Sequence, residues 1–445
     1  MKESLIIQNT KLLKEVKKIQ ISNVLLAARE RLRFIFSEFD HVYFSFSGGK
    51  DSGVMLMLAE EIATEMNKEY DLLILDIEAN YTDTVHFINR VKQLPHVRQV
   101  FHFCLPFYED NNSSIFQPQW IMWNPEEKDK WVQPMPEDAI TLEKLDSSLL
   151  TYFLKCDGNP DKFLQFFSNW YYELHNSENV ACGIGLRMDE SLARYNAIKH
   201  GKNKYKQKQW INRYTSGIYK FYPIFDWKFN DIWAAIYRFN WDYNKVYERM
   251  YKIGTPFRRM RICQPFGLQQ RIGLEQIAKI EPLIWERVVN RVSGANFGSL
   301  YSKTSLLGYS KTTKPTHMSW QEYTVFLLES YGLYTPMLRD HYYRKFKILM
   351  NYYEKNFNMA IDDIPEESSK KEWTSDERLW HNWKSLAKVL EKNDFALVTR
   401  QYSLTKIDEQ ELYHLYDEFQ GVLGIQSLNG KVYKKIIHHL LNEKD

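Results

Sequence analysis

Cysteine is scarce in this chain and net charge is small, and each shortage removes a class of protein. Four cysteines, Cys104, Cys156, Cys182 and Cys263, are scattered over 445 residues with no Cys-x-x-Cys spacing. That argues against a disulfide scaffold and against a structural zinc or four-cysteine cluster of the usual spacing. No apolar run approaches the ~20 residues that span a bilayer, and Met1 to Ser4 has no signal-peptide layout. A cytoplasmic protein with no membrane partner is expected. The formal charge of +3 neither demands nor excludes nucleic acid. What the chain does have is apolar residues, 44%, and aromatics, 15%, enough for two or three domains at this length.

The most informative stretch runs from Val42 to Glu61. Val42 to Phe46 is apolar or aromatic apart from Ser45, which suits a buried strand. Gly53 to Glu61 reads as a helix. Between them lies Ser47-Gly48-Gly49-Lys50-Asp51-Ser52. A strand turning through glycine into a helix leaves unpaired N–H groups aimed at one spot, where the helix dipole adds to their pull on an anion. Lys50 adds a positive charge, and Ser47 and Ser52 add hydroxyl donors. Asp51 could hold Mg2+ or orient a neighbour. The spacing is not the Walker pattern, which places four residues between its first glycine and its Gly-Lys pair. A simple tight turn capped by Ser52 is the plainer alternative.

Ser45 to Ser52 resembles the pyrophosphate-binding loop of the N-type ATP pyrophosphatases, a superfamily with adenine nucleotide alpha-hydrolase folds. Within it the string is most similar to the branch of phosphoadenosine phosphosulfate (PAPS) reductases and sulfate adenylyltransferase small subunits. The resemblance implies that Ser45, Ser47, Gly48, Gly49, Lys50, Asp51 and Ser52 hold nucleotide phosphates. A second string, Gly185-Leu186-Arg187-Met188-Asp189-Glu190-Ser191-Leu192-Ala193-Arg194, resembles that branch's second signature. Arg187 and Arg194 could neutralise phosphate or sulfate. Glu190 and Arg194, four apart, could equally form a surface pair of little worth.

The rest of the chain is consistent with an α/β nucleotide domain. Residues from about Thr10 to Phe39 read as an amphipathic helix. Asp71 to Glu78 reads as a second buried strand ending in two carboxylates, and Asp76 is placed where such folds put ligands, or else is a strand cap. Helix from Thr82, strand from Val97 to Leu105, helix from Pro160 to His175 and strand from Asn179 to Leu186 continue an alternation that predicts a parallel sheet. Residues 106–136, rich in proline and tryptophan, read as an irregular insertion. Its Trp120, Trp123 and Trp131 could stack on a base or simply pack. His200 to Lys208 is a basic loop, either a solvated run or a lid. Tyr222 to Trp233 holds a Pro-Ile-x-Asp-Trp segment in which Asp226 and Asn230 are expected to cap a helix with Trp233, Ile236 and Tyr237 on its apolar face. A Tyr-Asn-x-x-Tyr stretch follows from Tyr243.

Beyond Gly267 short helices dominate: Leu274 to Ile280, Leu283 to Val292, Trp320 to Tyr331, Arg339 to Phe357, Glu377 to Glu391 and Val432 to Leu441, with a polar linker from Pro365 to Lys371. This half resembles a subfamily of reductase-like proteins with an uncharacterised C-terminal extension, sometimes encoded beside ParB-like proteins. The expected fold class is thus α/β, a parallel-sheet adenine nucleotide alpha-hydrolase-like (HUP-type) domain plus a mainly helical C-terminal region. Residues 1–40 are the N-terminal helix, 41–266 the nucleotide domain and 267–445 the extension.

Three functions are compatible with these residues. The first is ATP cleavage between the α- and β-phosphates, with adenylyl transfer to an unidentified anionic or nucleophilic acceptor. Lys50, Asp51, Arg187 and Arg194 are then catalytic, Asp76 and Glu190 lie in the nucleotide site, and Mg2+ sits near Asp51 or Asp76. The second is reduction of PAPS or adenylyl sulfate to sulfite. The single Cys263 beside Arg258, Arg259 and Arg261, and the lack of a Glu-Cys-Gly-Leu-His string, count against it, and no Fe–S cluster is expected. The third is a nucleotide-binding regulatory subunit working with a ParB-like or nucleic-acid-associated partner.

Overall fold

The computed structural model describes residues 23–111, 117, 119–176, 178–199, 203–262, 265–266, 273–292, 294–296, 313–333, 335–367, 382–397 and parts of 402–415. They divide into two units, one drawn from Met1–Tyr108 and Ile121–Gln264, the other from Glu109–Trp120 and Pro265–Asp445. Cys263, part of the basic loop at 200–202, most of the segment before Val24 and the expected last helix lie outside the described residues.

The first unit begins with α1 (Val24–Glu38), β1 (His41–Ser45), α2 (Lys50–Met66), β2 (Tyr70–Leu75), α3 (Thr82–Val91) and β3 (Val97–Phe103). Short strands β4 (Tyr108–Asp110) and β5 (Gln119–Ile121) come next in the chain, their residues within Glu109–Trp120 counting with the second unit; α4 (Ser147–Cys156), α5 (Pro160–Leu174) and β6 (Val180–Ile184) then continue the first. Helix α6 (Leu192–Lys199), hairpin β7 (Ile211–Thr215) and β8 (Ile218–Phe221), α7 (Phe229–Phe239) and α8 (Val246–Lys252) complete it.

Six strands form one sheet in the order β3-β2-β1-β6-β8-β7. All neighbours are parallel except β7 and β8. From β1 the chain winds outward through β2 and β3, then returns to place β6 on the other side of β1. The order therefore reverses between β1 and β6, the position where open α/β sheets bind ligands. Helices cover both faces, which is why β1 and β2 read as nearly unbroken apolar runs.

Leu56, Leu58 and Ile62 of α2 pack with Phe44, Leu72 and Ile74 of the sheet, and Leu32 and Phe36 of α1 join the same core. Each such side chain contributes about 1.5–3 kcal/mol when fully buried. Asn23 starts α1 by accepting from the N–H groups of Leu25 and Leu26.

The structure differs from the sequence expectations at several places. Asp226 and Asn230 do not cap α7. Asp226 instead receives a two-pronged hydrogen bond from Arg31 of α1, at 2.7 and 2.6 Å. Asp231 does the capping work, accepting from the Lys228 N–H at 2.7 Å. Tyr237, expected on the apolar face, is 91% exposed. The β7–β8 hairpin and α4 have no counterpart in the sequence reading.

The second unit contains α9 (Gly273–Ile280), α10 (Pro282–Arg291), α11 (Trp320–Gly332), α12 (Pro336–Phe357) and α13 (Trp383–Glu391). Helix α11 packs against both α12 and α13, around a core that includes Tyr342, Phe346, Leu349, Leu386 and Leu390. A capping box of Ser319 and Glu322 starts α11. Trp120 packs edge-on with Phe266 at 4.8 Å in this unit, so packing is its role. The expected linker is anchored at its beginning: Glu366 accepts from the Trp320 and Gln321 N–H groups, and Glu367 from Trp320 Nε1 and Lys384. No helix among the described residues is long and apolar enough to cross a membrane.

Candidate functional site

The loop between β1 and α2 is held open by its neighbours. Gly48 has φ +71°, and a Cβ there would stand 2.7 Å from Thr84 Cγ2. Glycine answers both constraints. Asn244 Nδ2 donates to the Gly48 carbonyl at 3.0 Å and to Thr84 Oγ1 at 2.8 Å, tying the loop to α3. Gly49 is the N-cap of α2 and supplies no side-chain cap. The Lys50 N–H donates to the Tyr247 hydroxyl at 3.1 Å, and Gly53 N–H to the Gly49 carbonyl makes the first helical bond. The N–H groups of Gly48, Gly49, Asp51 and Ser52 have no acceptor among the described residues. Donors grouped in this way at a helix N-terminus suit an anion. Ser47 Oγ and Ser52 Oγ are 3.1 Å apart, and Ser52 Oγ also donates to the Gly49 carbonyl.

Two buried cations flank this loop and share one carboxylate. Lys50 is 5% and Arg187 3% exposed. Asp51 Oδ2 accepts from Lys50 Nζ at 3.0 Å and Oδ1 from Arg187 Nε at 2.5 Å. Arg187 Nη1 is buried without a hydrogen bond, with Asp189 Oδ2 at 3.5 Å. Burial pushes the Lys50 ammonium below its ordinary pKa, against the pull of Asp51 and with added push from Arg187 and Arg261. Glu190 pairs with Arg194, as the four-residue spacing predicts, and stands 3.9 Å from Arg187 Nη2. Arg194 is exposed. Ser45 closes β1.

Gly185 makes the approach of Arg187 possible. A Cβ on it would meet the Ser52 Cα at 2.8 Å, the Ser52 N at 2.9 Å and the Asp51 carbonyl carbon at 3.1 Å, all backbone atoms that cannot swing aside. Gly185→Ala is therefore expected to push the end of β6 off the first turn of α2. A stability loss of about 1–3 kcal/mol and at least a roughly tenfold loss of nucleotide affinity should follow. Thermal unfolding and calorimetric ATP titration read the two effects; an unchanged affinity would show that the close approach has no bearing on the site.

Asp76 belongs to a different group of residues. It lies just past β2, 5% exposed. Its Oδ1 accepts from the Glu78 N–H at 2.8 Å and Asn80 Nδ2 at 3.1 Å, and its Oδ2 is 3.1 Å from His102 Nε2. Glu78, wholly buried with φ +61°, accepts from the N–H groups of Trp123 at 2.6 Å and Val132 at 3.2 Å. Trp123 Nε1 donates to the Asp76 carbonyl at 3.1 Å, and Trp131 meets Trp123 edge-on. These indoles anchor the insertion.

Sequence reasoning gave no contact role to Glu78, Asn244 or Tyr247. The two carboxylates ahead of a proline- and tryptophan-rich insertion, and the Tyr-Asn-x-x-Tyr stretch, were the available signals.

The donor set does not fit a protein-held Mg2+. That ion wants six oxygens in near-octahedral order. Asp51 has both oxygens committed to cations, and Asp76 faces a histidine. Nor are the described thiols poised for redox work. Cys104, Cys156 and Cys182 are buried and free, and burial pushes Cys156 and Cys182 up to about 11 and Cys104 higher still.

Residues 41–255 match the phosphoadenosine phosphosulfate reductase domain, and residues 254–407 match a domain of unknown function, DUF3440. The chain resembles two solved structures over about half its length. One is a PAPS reductase from Candida auris in complex with phosphate: 17% identity, 53% of this chain and 90% of that one, TM-score 0.29. The other is the FMN adenylyltransferase of Candida glabrata with FMN and the ATP analogue AMPCPP: 12% identity, 52% and 61%, TM-score 0.30. Over 408 residues the chain is 33% identical to the uncharacterized protein YbdN of Escherichia coli (strain K12), covering 88% of this chain and 93% of that one. On the strength of that near full-length identity the protein belongs to the same family as YbdN, its chain joining an α/β PAPS reductase domain to a C-terminal DUF3440.

Proposed function

We propose that the first unit binds ATP by its phosphates and transfers the adenylyl group to an acceptor, releasing pyrophosphate. The observation that carries this reading is that the N–H groups of Gly48, Gly49, Asp51 and Ser52, beside the buried Lys50 and Arg187, have no acceptor among the described residues. In this reading Lys50 and the loop amides hold the β- and γ-phosphates, while Arg187 faces the α-phosphate as charge shifts toward the leaving group. The acceptor's nucleophilic atom bonds to the α-phosphorus as the bond to the α,β-bridging oxygen breaks, and pyrophosphate leaves with that electron pair. An acceptor such as sulfate, already ionised, needs no general base. Any Mg2+ travels with the nucleotide, and no carboxylate of this site is assigned to it.

Space for an acceptor is available beside the loop. Trp233, Tyr243, Tyr247, Tyr251 and Phe257, with Glu248 and Lys252, line a pocket of about 390 Å³, and Tyr247 is the residue that bonds the Lys50 amide. PAPS reduction is the weaker alternative, because the described thiols are buried and burial raises their pKa values.

Incubation with α-labelled ATP, Mg2+ and candidate acceptors tests the proposal. Labelled adenylyl product with matching pyrophosphate supports it. Tight ATP binding with no pyrophosphate would mark a nucleotide-binding regulator instead. Sulfite from PAPS and an added thiol would establish the reductase.

A further inference from the structure

The ends of β2 and β3 bring together three side chains of complementary ligand chemistry, at a place the nucleotide reading leaves without a task. Asp76, His102 and Cys104 are all buried, and a carboxylate oxygen, a ring nitrogen and the sulfur lie within 4.8 Å of one another. His102 Nε2 and Asp76 Oδ2 are 3.1 Å apart. Two ligands on one edge of a tetrahedron with bonds of about 2.0–2.1 Å would stand roughly 3.3 Å apart.

A second observation points the same way. His102 is 1% exposed, and its Nδ1 has no hydrogen-bond partner. Asp138 Oδ1 lies 3.8 Å from it, in a carboxylate itself held by Lys92 Nζ at 2.9 and 2.7 Å. With the ring proton on Nε2, bonded to Asp76, the Nδ1 lone pair faces that carboxylate, and a buried acceptor goes unsatisfied. A cation at Nε2 reverses the arrangement. The ring proton then sits on Nδ1 and points at Asp138, giving the carboxylate–histidine–metal order common to protein metal sites. Asp76 Oδ1 is already oriented by the Glu78 N–H and Asn80, leaving Oδ2 for the ion.

We propose that Asp76, His102 and Cys104 form a Zn2+ site distinct from the phosphate loop, with a fourth position for a small ligand. Carboxylate and thiolate together balance the charge of the ion. The Cys104 thiol gives up its proton to solvent on binding, and the His102 proton moves from Nε2 to Nδ1. Thiolate and imidazole suit Zn2+ and disfavour Mg2+ and Ca2+. The bound ion ties the ends of β2 and β3 to the insertion, since the Asp76 carbonyl accepts from Trp123 Nε1.

The test uses the purified full chain, stripped with a chelator and titrated with Co2+ as a spectroscopic stand-in. The wild type is expected to develop a near-ultraviolet thiolate-to-cobalt charge-transfer band at about one equivalent, reversed by Zn2+. Cys104→Ser should lose the band, whereas Cys182→Ser should keep it. The cluster of His341, Asp408 and Glu411 in the second unit has no thiol, so cobalt there cannot give this signal. Asp138→Asn should weaken Zn2+ binding by about 10- to 100-fold. Far-ultraviolet circular dichroism of Cys104→Ser checks that its fold is retained. No band in the wild type, or zinc binding unchanged in Cys104→Ser, overturns the proposal.

Discussion

Lys50→Ala is expected to lower ATP-dependent pyrophosphate release by about 100- to 1,000-fold, the loss typical of removing one preorganised donor from a charged transition state. Lys50 is buried at the mouth of the loop, and its ammonium is held by Asp51 at 3.0 Å. Removing it leaves Asp51 paired with Arg187, so no carboxylate is stranded. Activity should therefore fall while the melting temperature changes by only a few degrees. Release within tenfold of the wild type would refute the assignment. The pH profile has a definite sign. Burial depresses the Lys50 pKa, and phosphate prefers the ammonium form, so nucleotide affinity falls as pH rises through that lowered value and is full below it.

Asp408→Ala should be among the most destabilising single changes in the second unit, by about 3–5 kcal/mol. Asp408 is wholly buried, and it accepts from Lys345 Nζ and Arg344 Nη2, both at 2.7 Å, and from the Thr405 N–H at 2.8 Å. Lys345 is itself 4% exposed, so deleting the carboxylate strands a buried cation. Urea unfolding of the two proteins measures the difference, and a loss under about 1 kcal/mol would contradict it. Replacing both partners, as Asp408→Leu with Lys345→Met, should recover most of the loss, because no buried charge is then left alone.

Acid should act on the same network. Burial opposes ionisation of Asp408, but hydrogen bonds from Lys345, Arg344 and Thr405 outweigh it and hold the carboxyl well below its usual range. Glu411 is lowered too, burial again being overcome by Arg344 and His341. Carboxyls with depressed folded-state pKa values stabilise above their unfolded pKa of about 4, and the stabilisation is lost as pH falls through the folded values. The second unit should thus weaken progressively below about pH 4.

Local patterns carried the parts of this molecule that could be read in advance. Val42 to Glu61 announced a strand, a glycine turn and a helix because the required residue types are contiguous. The helices of the second unit were legible from apolar spacing, with Trp320–Gly332 and Pro336–Phe357 close to the expected bounds. The β7–β8 hairpin was overlooked although Ser216-Gly217 lies between two runs of β-forming residues, a turn signal of the ordinary kind. Contacts between distant residues were beyond such patterns. Nothing local to Asn244 says that its amide will hold Gly48, nearly two hundred positions earlier. Asp226 looked like a cap because capping residues and ion-pair partners are the same residue types; only the position of Arg31 separates the two. Asp76 was grouped with the phosphate loop by strand order, yet its contacts lie with His102 and the insertion.

If the loop holds phosphates as proposed, the shared carboxylate of Asp51 also bears on which anions it takes. Lys50 and Arg187 already share an internal anion, bound at both oxygens. A newcomer has to do better than that occupant. Chloride or orthophosphate, reaching few of the donors at once, gains little by displacing it. A polyphosphate, able to span the loop amides and both cations together, gains a great deal. On that reading Asp51 is a built-in competitor that selects by the number of oxygens a ligand can offer. Asp51→Asn should accordingly raise the affinity for orthophosphate more than that for ATP, and competition titrations of the two proteins would read the change in discrimination directly.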